Sequence, residues 1–501
     1  MITTSVQELL GAVLHCLRCH MSKNSNLYFA SKVSLAELIG QYQRFFAFVI
    51  AVLIFVFLHI IKGVAEFPWD AGGYWRLSAT EILFDFPKEI RGYFYPALLS
   101  PARYFSDVFP ALGLAPYRII SSVIYSYFFT VLLPAFYLHV FGGKVSFLRR
   151  LIVPVLVAFL FPGVVIYTLS DLPALALMVS ASACALHSVS SKSSAKRYAL
   201  LAFAGVLAYG AYNTRTIFLF SAAVLTLGLG LIVYYKHSAK TKTLATIVFL
   251  LGAGVASLPQ VLINLKNQSS FSPLVITTSP YNRSLFASQL LWGITIQRYE
   301  TSIDKASPGA GVFYLDKAGQ HLFAENNIGS APFGLRAYLD LVVHNPVEFF
   351  GIYGRHVVNG LDLRDGSVYT VGQSWRKNVL AMMNFLVLFS GFLVVAMAIS
   401  KQCASKCQKI KSAFWAFLIL LPVIAIIPGA IETRFFLAFH LSIYCALAFS
   451  SEPKLVIILL RRQWVLIFSA LLISALMFFS VSTVTMSAPQ YDYSDLYRGM
   501  W

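Results

Sequence analysis

Five ionisable side chains stand at the margins of long apolar runs: Asp70, Asp171, Arg215, Glu432 and Arg434. Charge at the edge of a bilayer is costly and marks candidate functional sites. The types are complementary, because a carboxylate can take the proton of a hydroxyl and a guanidinium can hold a phosphate. Asp70 lies in Glu66-Phe-Pro-Trp-Asp-Ala-Gly-Gly-Tyr-Trp-Arg76, which runs on to Tyr93-Phe-Tyr-Pro96. Gly72 and Gly73 allow a tight turn or a close approach of backbone to another group. Trp69, Tyr74, Trp75, Tyr93 and Tyr95 supply amphipathic rings at headgroup depth, suited either to lining a substrate or to an interfacial belt. Asp171, in Tyr167-Thr-Leu-Ser-Asp-Leu-Pro173, is the only charged residue between Arg150 and Lys192. Its plainer role, shared with Ser170, is to cap the helix that follows. Arg215, in Tyr212-Asn-Thr-Arg-Thr216, either snorkels to the surface or meets a phosphate. Glu432-Thr-Arg434 reads as a mutual pair or as a substrate clamp.

The elements that position these residues are membrane spans. Of 501 residues, 58% are hydrophobic and 12% charged, with a mean hydropathy of +0.71, too apolar a balance to cover a soluble globule. A span needs about 20 mostly apolar residues. The sequence then predicts an all-α polytopic membrane protein of eleven helices, at 44–62, 118–141, 151–169, 172–190, 198–213, 216–235, 244–264, 378–400, 413–430, 434–450 and 464–484. Residues 1–43 are expected to form a cytoplasmic amphipathic segment, with no cleavable signal peptide. A transmembrane module follows at 44–264. Its long first outer loop, 63–117, carries the Asp70 stretch and an interfacial helix broken at Pro87. Residues 265–377 are too long for a bare loop and are expected to form a small helical outer subdomain, with helix-length patches at 264–299, 314–321 and 334–360. A C-terminal module (378–484) and an outer tail (485–501) complete the chain.

The net charge of +18 is explained by topology. With residue 1 in the cytoplasm, the cytoplasmic segments hold 20 basic residues against Glu8, Glu37 and Glu452, and the outer face holds 19 basic and 18 acidic residues. That asymmetry is the positive-inside pattern, and it removes the reason to invoke nucleic acid. All six cysteines fall in cytoplasmic segments or spans, which leaves the outer loops without disulfides. Cys16-Leu-Arg-Cys19-His20 has the spelling of a haem attachment site but lies on the reducing side with no second ligand motif, and translation from Met21 would omit it. His321, His344 and His356 stand near Glu325, Asp340, Glu348 and Asp362 without a recognised metal-ligand spacing, so they read as surface residues. No cofactor is fixed by these residues, and participation of a divalent metal stays open.

An acidic residue in a long first outer loop, a second at the outer tip of spans three and four, an arginine after span five and Glu432-Thr-Arg434-Phe before a late span together resemble the GT-C superfamily of polytopic glycosyltransferases. The layout covers most of the chain, though the motifs are short. In size, basicity and large late loop the chain is also similar to bacterial O-antigen-modifying glucosyltransferases of the serotype-converting kind. The resemblance implies a sugar donor on a polyprenyl or dolichyl phosphate and transfer to a glycan or lipid acceptor on the periplasmic or lumenal side. It implies residence in a bacterial inner membrane with the C-terminus periplasmic. By the same resemblance Asp70 acts as base or orients the acceptor, Asp171 is the second acidic position, and Arg215 and Arg434 face the lipid phosphate with Glu432 positioning the latter. No Walker A spelling, complete GxGxxG or Asp-x-Asp points to a nucleotide-sugar donor. The competing class is a transporter or flippase of a lipid-linked or sugar substrate. Such proteins commonly carry ionisable sites near the midplane, whereas here the polar groups collect on one side.

Overall fold

A computed structural model describes residues 42–63, 67–81, 85, 91–276, 285–304, 311–326, 328, 333–372, 374–401, 406–450, 464–487 and 489–490. Glu66, Pro87, the expected amphipathic N-terminal segment and most of the expected outer tail lie outside them. Among the described residues nine helices are long and apolar enough to cross a membrane: Gln43–Lys62, Ala115–Phe141, Asp171–Ser190, Thr216–Val233, Ala239–Gln268, Trp375–Ile399, Gln408–Ile426, Thr433–Ser450 and Ile467–Thr485. The chain is a polytopic, predominantly helical membrane protein. Many of the large apolar side chains on these helices are exposed, among them Phe57, Leu231, Leu251 and Leu262, as lipid-facing surfaces require.

Two of the eleven expected spans behave differently. The segment 151–169 begins as the helix Phe147–Leu160 and ends at Phe161-Pro162, after which only the short turn Gly163–Ile166 follows. The break is built into the sequence. A Cβ on Gly163 would sit 2.2 Å from the Ser367 carbonyl oxygen and one on Gly366 would sit 1.9 Å from that of Leu160. This close crossing of two backbones is closed by a hydrogen bond from the Gly163 N–H to the Gly366 carbonyl at 3.0 Å. The other, Ser194–Thr214, is a continuous helix of 21 residues but a less apolar one. It packs along both Asp171–Ser190 and Ala239–Gln268, and its last turns, Tyr209 to Thr214, are buried.

The region expected to be wholly helical contains a small mixed sheet. Strands β1 (Ile296–Ser302), β2 (Gly311–Leu315), β3 (Tyr369–Thr370) and β4 (Pro489–Gln490) lie in the order β3-β1-β2-β4. β1 pairs antiparallel with β2, Tyr299 opposite Phe313, and parallel with β3, Thr301 opposite Tyr369. Where helix-length patches are expected at 264–299 and 314–321, the structure has helix Leu285–Thr295, the hairpin, and helix Lys317–Glu325. The hairpin escapes a hydrophobicity reading because β1 turns Arg298, Glu300 and Ser302 inward, so its alternation places polar residues in the core.

That inward face is held by ions. Arg298 Nε donates to Glu300 at 2.9 Å and its Nη2 to Asp365 at 3.1 Å, while Asp362 takes Arg364 at 2.7 Å and Asp365 takes Lys377 at 2.5 Å. Removing one partner of such a buried pair costs about 3–5 kcal/mol, because the other is left uncompensated. The network reaches Thr433, whose hydroxyl accepts from Arg298 Nη2 at 2.8 Å and donates to Glu300, and the Tyr299 N–H donates to the Ile431 carbonyl at 2.8 Å. β1 therefore braces the Glu432–Arg434 turn.

Candidate active site

The first-loop residues are presented by the short helix Trp69–Leu77, entered through Pro68 in an extended conformation. Trp69 adopts a left-handed backbone, φ 49°, which turns the chain sharply before Asp70. The turn is pinned by three hydrogen bonds from two side chains. The Tyr369 hydroxyl donates to the Pro68 carbonyl at 3.0 Å and accepts from the Ala71 N–H at 3.2 Å, and Thr168 donates to the Ala71 carbonyl at 2.6 Å. Gly72 is required by close approach, since a Cβ there would meet the Phe67 carbonyl oxygen at 2.4 Å.

Asp171 opens the helix Asp171–Ser190, and Ser170 before it makes no side-chain capping bond. The Asp171 carboxylate is instead paired with Arg215, which leaves the end of Ser194–Thr214 in an extended conformation. Glu432 is likewise extended and precedes a 3-10 turn, Thr433–Phe436, that carries Arg434. Arg434 is the hub of the cluster. Its guanidinium donates through Nε to Glu432 at 2.8 Å and through Nη2 to Asp70 at 2.9 Å, and its Nε lies 4.0 Å from Asp171. Arg91, which the sequence analysis did not single out, pairs with the other oxygen of Asp70 and lies over the Tyr74 ring at 5.2 Å. Arg215 lies over the Phe435 ring at 4.6 Å. The cluster holds three guanidiniums and three carboxyl groups, with Asp70 its most accessible carboxylate at 42%.

Asp70, Asp171, Arg215, Glu432 and Arg434 are therefore brought into one cluster from four separate parts of the chain. The aromatic candidates divide. Trp69 is exposed beside Asp70, its indole N–H donating to the Ser302 carbonyl at 2.9 Å. Tyr74 and Tyr95 are buried against each other, ring centroids 5.1 Å apart, and Trp75 packs on Phe67 and Tyr117. Tyr93 is buried and donates its hydroxyl proton to the Ala256 carbonyl. Tyr74, Tyr95 and Trp75 thus pack in one cluster behind the Asp70 helix, whereas Tyr93 belongs to a separate one with Tyr209, Tyr212 and Ala256.

Electrostatics separates the carboxylates. Burial pushes Asp70 upward, but Arg434 and Arg91 outweigh it and hold the group at about 2. Glu432, fully buried, is raised to about 7 by burial despite Arg434, and Asp70 and Asp171 push in the same direction. Its Oε1 has no hydrogen-bond partner among the described residues, and the cost of burying an ionised oxygen without donors favours the protonated form.

Asp171, Arg215, Arg434 and Phe435 line the charged part of a small, open groove. Its walls are apolar, formed by Leu175, Phe218, Val423, Ile426 and Leu437 from four membrane-crossing helices. Pro422, inside the helix Lys406–Ile426, cannot bond to the Leu418 carbonyl one turn back. Ser221 on the facing wall supplies that bond at 2.8 Å and ties the two walls together.

Each site carboxylate is engaged by a guanidinium, and no group of three His, Cys, Asp or Glu side chains suited to a metal ion occurs among the described residues. His321 and His344 are exposed beside Glu325 and Asp340, whereas His356 is buried with Nδ1 2.6 Å from the Ile427 carbonyl oxygen. Comparison with protein-family models, curated proteins and solved structures finds no match to this chain.

Proposed function

We propose that the protein is a membrane glycosyltransferase that moves a sugar from a polyprenyl-phosphate donor to a periplasmic or lumenal glycan or lipid acceptor, of which a bacterial O-antigen is one candidate. The observation that carries this reading is the pairing of the groove with its charged part. The apolar side chains of the groove come from membrane-crossing helices, where a prenyl chain would approach from the lipid, and Arg215 and Arg434 in the same lining suit the phosphate of such a donor. A carboxylate stands on the far side of Arg434, in Asp70, and is open enough to meet an acceptor.

In this reading the acceptor hydroxyl gives its proton to Asp70 as its oxygen bonds the anomeric carbon. The bond from that carbon to the phosphate oxygen breaks, and the electron pair leaves on the polyprenyl phosphate. Arg215 and Arg434 hold the leaving phosphate as its charge grows. Asp171 and Glu432, both buried, aim those guanidiniums rather than touching the sugar. The proposed topology has the N-terminus in the cytoplasm and the charged cluster on the opposite side of an inner membrane. Eleven segments cross if Ser194–Thr214 and Phe147–Ile166 are counted.

The test is incubation of purified protein in nanodiscs with radiolabelled polyprenyl-phosphoryl hexoses. Sugar release or transfer by the wild type, lost in Asp70→Asn, is the expected result. Transport of the intact lipid without cleavage would point to the flippase class instead.

A further inference from the structure

Arg434 does two things at once. It lines the groove, and through Nη2 it holds Asp70 at 2.9 Å. Arg91 holds the other oxygen of the same carboxylate, so both sides of Asp70 are taken by cations. A carboxylate so clamped is a weak acceptor for the proton of a hydroxyl. A phosphodiester seated against Arg215 and Arg434 would compete for the guanidinium that Asp70 uses, since both anions seek the same donors.

We propose that Arg434 is a latch, drawn off Asp70 by the donor's phosphodiester, so that Asp70 becomes a competent base only when the donor is in place. This rests on the reading of the groove as the donor site and deepens it. Asp70 is faced by Arg91 and Tyr74 from the first loop and by Glu432 and Arg434 at the start of the 3-10 turn, with Asp171 and its partner Arg215 on the far side of Arg434. Tyr369 on β3 and Tyr299 on β1 complete the surroundings. Once Arg434 turns to the phosphate, Asp70 keeps one cation and gains an anionic neighbour. Both changes raise its proton affinity, from a starting point of about 2. The phosphodiester itself has no second ionisation near neutrality, so a proton taken up on headgroup binding goes onto the protein, to the extent that the raised affinity of Asp70 reaches the working pH.

Isothermal titration calorimetry with a short-chain polyprenyl-phosphoryl glucose, at about pH 5.5 in two buffers of different ionisation enthalpy, measures that proton directly. Glu432, raised to about 7, is already protonated there and contributes little. The wild type is expected to take up a substantial fraction of a proton per headgroup. Asp70→Asn is expected to lose most of the uptake and to bind the diester several-fold more tightly, because the competing carboxylate charge is gone. Tight binding by the wild type with no proton uptake, or weaker binding by Asp70→Asn, overturns the latch and leaves the donor-site reading standing. No binding by the wild type at any lipid concentration sinks both.

Discussion

At the residue scale, the site separates two kinds of carboxylate by their surroundings. Asp70 is half-buried and doubly clamped, whereas Glu432 is sealed from solvent. Asp70→Asn preserves shape and one hydrogen-bond acceptor, so the protein is expected to accumulate in the membrane while transfer falls by roughly a hundred- to ten-thousandfold, the usual worth of a general base. Steady-state transfer assays alongside expression level check this; unchanged turnover removes Asp70 from the mechanism. Arg215→Ala should weaken donor binding, and intact donor affinity would end its phosphate role. Glu432 makes a prediction of opposite sign to Asp70 in stability. A carboxyl raised from its ordinary range to about 7 contributes in full at acid pH and loses that contribution as pH rises through about 7. Asp70, depressed to about 2, contributes above the ordinary carboxylate range and fades only as pH falls toward about 2. Thermal unfolding between about pH 5 and 8 should therefore show a stability decline that Glu432→Gln flattens.

At the element scale, helix ends and one braced turn carry the site. The segment before helix Phe94–Val108 is fixed by Asn213, whose side-chain oxygen accepts from the Phe94 N–H at 2.8 Å and whose amide group bonds Gln260 at 2.9 Å. Gly92 lies so close that a Cβ would be 2.1 Å from the Asn213 carbonyl oxygen. Gly92→Ala is expected to cost about 1–3 kcal/mol by overpacking and to push Arg91 off Asp70. A lowered melting temperature together with reduced transfer is the expected readout. Ser221→Ala leaves the Leu418 carbonyl freed by Pro422 without its donor, at an expected cost of about 1–3 kcal/mol. That loss should appear in melting temperature and in donor affinity, because the same bond joins two walls of the groove. If Ser221→Ala melts like the wild type, the cross-link between those walls is energetically idle.

At the scale of the whole molecule, the distribution of charge makes a topological prediction. Lys192, just past the end of helix Asp171–Ser190, and Lys196, in the first turn of Ser194–Thr214, lie at the opposite ends of those helices from Asp171 and Arg215, so the basic clusters and the ionic cluster are expected on opposite faces of the membrane. Cysteines introduced at Lys192 and at Asp304 should differ in labelling by a membrane-impermeant thiol reagent in intact cells, with only the Asp304 position modified. Labelling of both, or of Lys192 alone, would invert or break the orientation.

Apolar run length was enough to establish the membrane class and most spans, because lipid leaves a long helix few alternatives. The same reasoning picked out Asp70, Asp171, Arg215, Glu432 and Arg434, since charge at the edge of an apolar run is conspicuous in one dimension. Arg91 carried no such mark: it sits in a polar loop, and only folding brings it to Asp70. The β1–β2 hairpin was illegible for a related reason, its inward Arg298 and Glu300 being stable only through Asp365 and Thr433, partners 67 and 135 residues from Arg298. What tertiary structure alone decided was partnership. Sequence spacing allowed a mutual pair or a substrate clamp at Glu432 and Arg434, and the fold has that arginine bonded to both Glu432 and Asp70, the latter 364 residues away.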